Sequence, residues 1–265
     1  MALRGKSIII AGASGAIGSA TARSLAAAGA DLALAALPDG TLGTLVDEVR
    51  SRGIRAIAVA TDITVRVEID RLVATTLATF GRIDALANIA GVGSSPSLCD
   101  STDEEIERVI SVNLLGAARL MHAVLPAMKA QRGGAIVNVG SVAGEAGVMG
   151  IYSASKFGLR GLTDSVRREV RSSHISVSLI EPGFVRSPMN PAMSSRLPGP
   201  EIVASAIVDA LERPRRARIV PGSYAVPVFL ARAFPGLFDL VFGNARIQDR
   251  LNRDSRAARS RSTHA

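Results

Sequence analysis

The sequence predicts a doubly wound α/β sheet of about seven parallel strands with helices on both faces. Three observations predict it. Short apolar runs alternate with longer amphipathic segments from residue 7 to residue 220, the pattern of parallel strands joined by crossover helices. The runs are apolar throughout rather than at every second position, so both faces of the sheet need cover. Gly29, Gly53, Gly81 and Gly133 lie where helices should end before the next run, in the left-handed turn that glycine adopts most readily.

Taken in order, the strands are read at 7–11, 31–36, 55–60, 83–88, 134–140, 175–180 and 217–220, with helical patterns between them. No linker or internal repeat divides the 265 residues, a length that buries a full core in one large domain. The alternation is complete by Val220. An apolar stretch, "SYAVPVFLARAFPGLFDLVF", and an arginine-rich end from Arg246 follow it. The chain is therefore read as one domain over 1–223 and an extension over 224–265.

The net charge of +8 is not spread evenly: residues 213–265 hold eleven arginines against three aspartates, and the rest of the chain is balanced. That end has one Tyr and four Phe, not interleaved with the arginines as a base-stacking surface requires, so nucleic acid is not expected as a partner. The single cysteine, Cys99, has no intrachain disulfide partner, and no charged-then-apolar leader precedes Ser7; both favour a cytoplasmic location. No apolar run approaches the roughly 20 residues that span a bilayer. No metal site is expected.

"AGASGAIGSATA", residues 11–22, follows the first strand and opens the first helix. Gly12, Gly15 and Gly18 are spaced three apart, so this is not the more common G-x-G-x-x-G. Two readings stand. Such a turn lets backbone N–H groups approach a phosphate at a helix N-terminus, or its glycines simply allow close helix–strand packing. In a doubly wound sheet the C-terminal end of the first strand borders the switch point where ligands bind, which favours the first reading.

"YSASK" puts Tyr152 and Lys156 at i and i+4 on a predicted helix, sharing one face. A phenol with a pKa near 10 is a poor acid or base at neutral pH, but a neighbouring ammonium favours the phenolate. A packed ring beside a solvated amine is the plain alternative. "IVNVGSVAG" ends a strand in a loop carrying Ser141, whose hydroxyl is suited to hold a substrate oxygen.

With the glycine turn, the "NIAG" segment at 88–91, Ser141 and Tyr-x-x-x-Lys in this order, the sequence resembles the short-chain dehydrogenase/reductase family from about Lys6 to Val220. The resemblance implies a Rossmann-type sheet and an NAD(P)-dependent oxidoreductase that moves a hydride between nicotinamide and a carbonyl or secondary alcohol. It makes Tyr152 the general acid/base, Lys156 the group that lowers its pKa and binds nicotinamide ribose, and Ser141 the carbonyl-polarising donor. Asn113, in "SVNLLGA", is similar to the family asparagine that holds a water in the proton relay; by itself it reads as a residue that caps or kinks a helix.

The same resemblance gives a cofactor-binding set: Gly12, Ser14, Gly15, Ala16, Ile17 and Gly18 at the pyrophosphate; Asp62 and Ile63 at adenine; Asn88, Ala90 and Gly91 after the fourth strand; Tyr152 and Lys156; and Pro182, Gly183, Val185 and Ser187 on the nicotinamide side. Asp62 equally reads as an N-cap for the next helix. Ile89 replaces a usual asparagine, Ala11 a common threonine, Ala16 a common glycine and Ser187 a usual threonine. Ala36 and Leu37 stand where an acid selects NAD or a cation selects NADP; the missing acid leans slightly to NADP, although Asp39 is placed to reach back toward a ribose.

The segment "PMNPAMSSRLPGP" makes a short cover over the substrate, and Met189 and Met193 suit an apolar one. Three covers stand open for the extension: a partner subunit in a homodimer or homotetramer, the substrate entrance, or peripheral contact with a membrane surface. Lys129, Arg132, Arg167, Arg168 and Arg171 flank the predicted active-site helices and read either as a solvated face or as a dock for an acidic acyl carrier. Two other functions remain beside the leading one: a cofactor-sensing binding protein with little turnover, and a reductase of carrier-bound ketoacyl groups.

Overall fold

Alternation along the strands sorts the core into two halves. In β1 (Ser7–Ala11), Ile8 and Ile10 join one apolar cluster while Ile9 and Ala11 join the other, because successive side chains of a strand leave on opposite faces. This computed structural model describes residues 2–38, 40–95, 97–187 and 197–244. The remaining strands are β2 (Asp31–Ala36), β3 (Ala56–Ala60), β4 (Ala85–Asn88), β5 (Gly134–Val139), β6 (Ile175–Pro182) and β7 (Ala217–Val220). All seven strands read from the sequence are present; β3 and β4 start one and two residues later than read, and β6 runs on to Pro182.

The strands form one parallel sheet in the order β3-β2-β1-β4-β5-β6-β7. From β1 the chain winds outward through β2 and β3, then returns to start the other half at β4. Ala11 pairs with Ala35 on one side and Asn88 on the other, so the two halves part at the C-terminal ends of β1 and β4. That crevice is the topological switch point.

One face is covered by α1 (Ala16–Ala27), α2 (Thr41–Arg50) and α8 (Glu201–Glu212), which bury Leu25, Val49 and Ile207. The other is covered by α3 (Arg66–Phe80), α5 (Ala117–Ala130) and α7 (Gly150–Glu169), with Leu72, Leu120 and Val166 in its core. Gly29, Gly53 and Gly81 take positive φ as expected, but the turn after α5 is made by Arg132 at φ 52° rather than by Gly133.

The helix α4 (Asp103–Ile110) continues through a π-helical segment, Ser111–Gly116, into α5. The composite Asp103–Ala130 is long and apolar enough to cross a membrane by composition, yet Leu120, Met121, Val124 and Met128 are buried against the sheet. A short α6 (Ala143–Ala146) follows β5. After β7, α9 (Ala225–Ala233) and α10 (Pro235–Phe242) complete the described chain.

Candidate active site

The N-terminus of α1 is shaped for an anion. Its N-cap is Gly15, whose missing side chain leaves the first-turn N–H groups without a side-chain partner, and no acidic residue occupies the first turn. Ser14, Ala16 and Ile17 are partly buried around it and Gly15 is exposed. The three glycines are not equivalent. A Cβ on Gly12, at φ 84°, would stand 2.7 Å from the Ala90 backbone, and one on Gly18 would stand 2.0 Å from the Gly12 carbonyl oxygen. Both glycines therefore serve the close packing of β1, α1 and the loop after β4. Only Gly15 opens onto the crevice, where a Cβ would meet nothing closer than 3.5 Å.

On the far side of the switch point, β5 ends beside β6 and its loop carries Ser141. The Ser141 hydroxyl accepts from the Ala143 N–H at 3.1 Å and is hydrogen-bonded to the Tyr152 phenol. Tyr152 and Lys156 lie one turn apart on α7. Lys156 is 4 % exposed, its Nζ donates to the Val139 carbonyl at 3.0 Å and lies 5.8 Å from the Tyr152 ring centre. Gly144 allows this arrangement: a Cβ there would stand 2.8 Å from the Lys156 backbone, so α6 rests directly on α7.

Burial pushes the Lys156 ammonium down to about 8. It pushes the Tyr152 phenol up, with the Ser141 hydrogen bond acting in the opposite sense. Burial thus works against the charged form of both groups.

Asn113 sits in the π-helical segment, 1 % exposed. Its Oδ1 accepts from the Val92 N–H at 2.8 Å; its Nδ2 donates to the Val92 carbonyl at 2.9 Å and to the Ser155 hydroxyl at 3.1 Å. Ser155 in turn donates to the Tyr152 carbonyl at 2.7 Å. The Asn113 side chain thus fastens the loop after β4 onto α7. A Cβ on Gly91 would fall 3.3 Å from Asn113 Oδ1 and 3.4 Å from Lys156 Nζ, so this glycine keeps a space between the two groups.

Several residues of the expected cofactor-binding set are buried or already partnered within the protein. The Ile63 side chain is core, packed so closely that a Cβ on Gly116 would stand 2.7 Å from its Cδ1. Asp62 is not the N-cap of α3, which is Val65; its Oδ1 accepts from the Thr64 N–H and hydroxyl at 2.8 and 2.7 Å. Asn88 is buried and donates to Asn138 Oδ1 at 3.2 Å and to the Ala117 carbonyl at 3.3 Å. Val185 is also core. Pro182 ends β6, Gly183 lies under the Tyr224 ring, and Ser187 is the last described residue before 188–196. Asp39, Met189 and Met193 lie outside the described residues. Ala36 is core and Leu37 is exposed at the end of β2.

The basic residues read as a carrier dock are not near the site. Lys129 and Arg132 lie at the end of α5, before β5 begins, and Arg132 lines a cavity with Lys6, Arg82, Asp84 and His174 at the N-terminal ends of the strands. Arg167 lies about 22 Å down α7 from Tyr152 and is held by Asp164 and the Val177 carbonyl.

Two buried groups of polar residues were not singled out from the sequence. Asn138 donates to Thr163 Oγ1 at 2.9 Å, extending the Asn88 contact from β4 through β5 to α7; an asparagine inside the apolar run "IVNV" was its only sign. Glu145 on α6 is paired with Arg160 on α7 and with Arg232 on α9 at 3.1 Å, and Arg160 reaches Glu181 at the end of β6 at 3.1 Å. Burial pushes Glu181 up, against the pull of Arg160. No spacing in the chain announces this cluster, whose members come from four elements.

Taken together, the sheet, the anion-ready helix N-terminus and the Ser–Tyr–Lys group define a Rossmann-type oxidoreductase. The short chain dehydrogenase family profile matches residues 6–197, and the chain belongs to that family. It is 34 % identical over 256 residues to an uncharacterized oxidoreductase, YxnA, of Bacillus subtilis, covering 89 % of this chain and 71 % of the relative. It is 37 % identical over 191 residues to a 3-oxoacyl-[acyl-carrier-protein] reductase of Synechocystis, covering 71 % of this chain and 77 % of the relative. Among solved structures, a short chain dehydrogenase/reductase from Burkholderia phymatum in complex with NAD is similar with a TM-score of 0.84 and 28 % identity, over 89 % of this chain and 96 % of the other.

Proposed function

We propose that this protein catalyses reversible hydride transfer between a nicotinamide dinucleotide and a carbonyl or secondary alcohol of an apolar substrate. The observation that carries the reading is the meeting of Ser141, Tyr152 and Lys156 at the C-terminal end of β5, across the crevice from the open N-terminus of α1. The residues present fit a dinucleotide: uncapped N–H groups for its pyrophosphate and a buried cation, Lys156, facing the space that Gly91 keeps clear. When bound, the nicotinamide supplies or accepts the hydride. Ser141 donates to the substrate oxygen and Tyr152 passes the proton to or from it. Lys156 holds positive charge beside the phenol and donates to the cofactor ribose. Asn113 and Ser155 hold the start of α7 in place.

Neither an acid nor a cation stands at Ala36 or Leu37, so both dinucleotides are expected to work, with the missing acid leaning to NADP. A homodimer or homotetramer is supported by the exposed Leu115 and Phe157. A carrier-bound ketoacyl group is the second reading, favoured by the Synechocystis relative and opposed by the distance of the basic cluster from the site.

The test is a reduction screen of carbonyl compounds, carrier-bound ketoacyl groups included, with NADH and NADPH in turn. Tyr152→Phe should lower kcat by roughly a hundredfold or more while leaving cofactor affinity unchanged, since only the ionisable hydroxyl is lost. Turnover retained in that variant would remove Tyr152 from the proton-transfer step.

A further inference from the structure

The helices after β7 present an apolar surface that the domain itself does not cover. Half of the exposed large apolar side chains among the described residues fall between 226 and 241, including Val226, Phe229, Leu230, Phe234, Leu237 and Leu240. The surface is oriented. Val228 and Ala231 on the opposite side of α9 are buried, and Arg232 is tied to Glu145, so the apolar side is held outward. The two helices bend by 107° at Phe234, and at nine and eight residues each is far shorter than a bilayer core. Bent in this way the pair forms no straight span, and its outward apolar side chains suit a lipid interface.

Position and charge narrow the occupant. Phe238 and Phe242 line a cavity with Ala146, Gly147 and Gly150, so α10 packs beside the segment that leads into Tyr152. Within 225–244 the single acidic residue is Asp239, and the chain beyond 244 holds six arginines against two aspartates. Arginines following an apolar segment in sequence complement an anionic surface.

We propose that α9 and α10 dock the protein on an anionic lipid surface with the cleft mouth facing it, so that the substrate is a carbonyl or alcohol dissolved in the bilayer. The substrate half of this proposal rests on the hydride-transfer reading above; the docking half does not.

The full chain is sedimented with vesicles of phosphatidylglycerol and phosphatidylcholine in equal parts, and with phosphatidylcholine alone. Binding should be on the order of tenfold stronger to the anionic vesicles and should weaken with salt. The double variant Leu237→Glu/Leu240→Glu should lose on the order of tenfold or more of this binding, yet reduce a water-soluble ketone in buffer at the parental rate. Anionic vesicles should lower KM for a long-chain ketone in the parent and not in the variant. No sedimentation of the parent, or equal binding by the variant, overturns the docking. A variant that turns from dimer to monomer in light scattering, beside a parent that ignores vesicles, gives the face to a second copy and overturns it too. Vesicle binding without turnover of any carbonyl overturns the substrate half alone, together with the catalytic reading beneath it.

Discussion

The glycine turn at 12–18 and the helix pair at 225–242 are both marked in the sequence by composition, and they are built in opposite ways. At the turn, backbone meets backbone: Gly12 and Gly18 have no room for a Cβ, and only Gly15 is open. In the helix pair most large side chains are exposed, and attachment comes from Val228, Ala231 and the Arg232–Glu145 pair. A motif that satisfies itself internally specifies the fold first and the ligand second. A segment left apolar at the surface specifies something outside the domain.

The sharpest way to break this comparison is at the turn. Gly18→Val should cost ~3 kcal/mol or more of stability, because the clash is with the Gly12 and Ala13 backbone, which cannot move aside. Gly15→Val should leave the fold intact and weaken cofactor binding on the order of tenfold or more, its side chain standing where the anion approaches. Thermal melts and a fluorescence titration of the two variants separate packing from binding. If Gly18→Val folds normally, the turn is looser than its geometry implies.

A smaller effect is expected from Lys156, which belongs to the buried half of the comparison. Its folded pKa of about 8 lies below the ordinary value of 10.5, so between those pH values the unfolded chain binds more protons than the folded one. The contribution to stability therefore rises as pH increases through that window, and it is at its least favourable below it. Chemical denaturation of the parent and of Lys156→Met across pH 7 to 11 should show the parent gaining on the variant above about 8. A constant difference would mean that Lys156 is not desolvated. Cofactor affinity should move the other way, falling above about 8 in the parent as the ammonium is lost.

The smallest effect is expected at the helix pair. Arg232→Ala should cost about 1 kcal/mol, since its guanidinium is half exposed and screened, and Arg160 still holds the buried Glu145. Hydrogen exchange should quicken in α9 ahead of the rest of the molecule. Equal protection in parent and variant would show that apolar contacts alone hold the helix. Tyr224 over Gly183 and Arg232 on Glu145 tie this segment to the walls of the site, so a boundary after Ser223 cuts through packed contacts.

The sequence by itself determined the strand–helix alternation, and with it the doubly wound sheet, because uniformly apolar runs separated by amphipathic segments have few other ways to bury both faces. It also determined which residues meet along one helix: Tyr152 and Lys156 are four apart, and that spacing is their geometry. Tertiary structure alone decided the environment of those groups. That Lys156 is buried and donates to the Val139 carbonyl depends on where β5 ends. That Ile63 packs closely against Gly116, more than fifty residues away, depends on how the helices meet. The Glu145–Arg160–Glu181–Arg232 cluster depends on four elements meeting. Periodicity is written in neighbours along the chain, whereas desolvation and pairing are set by neighbours in space.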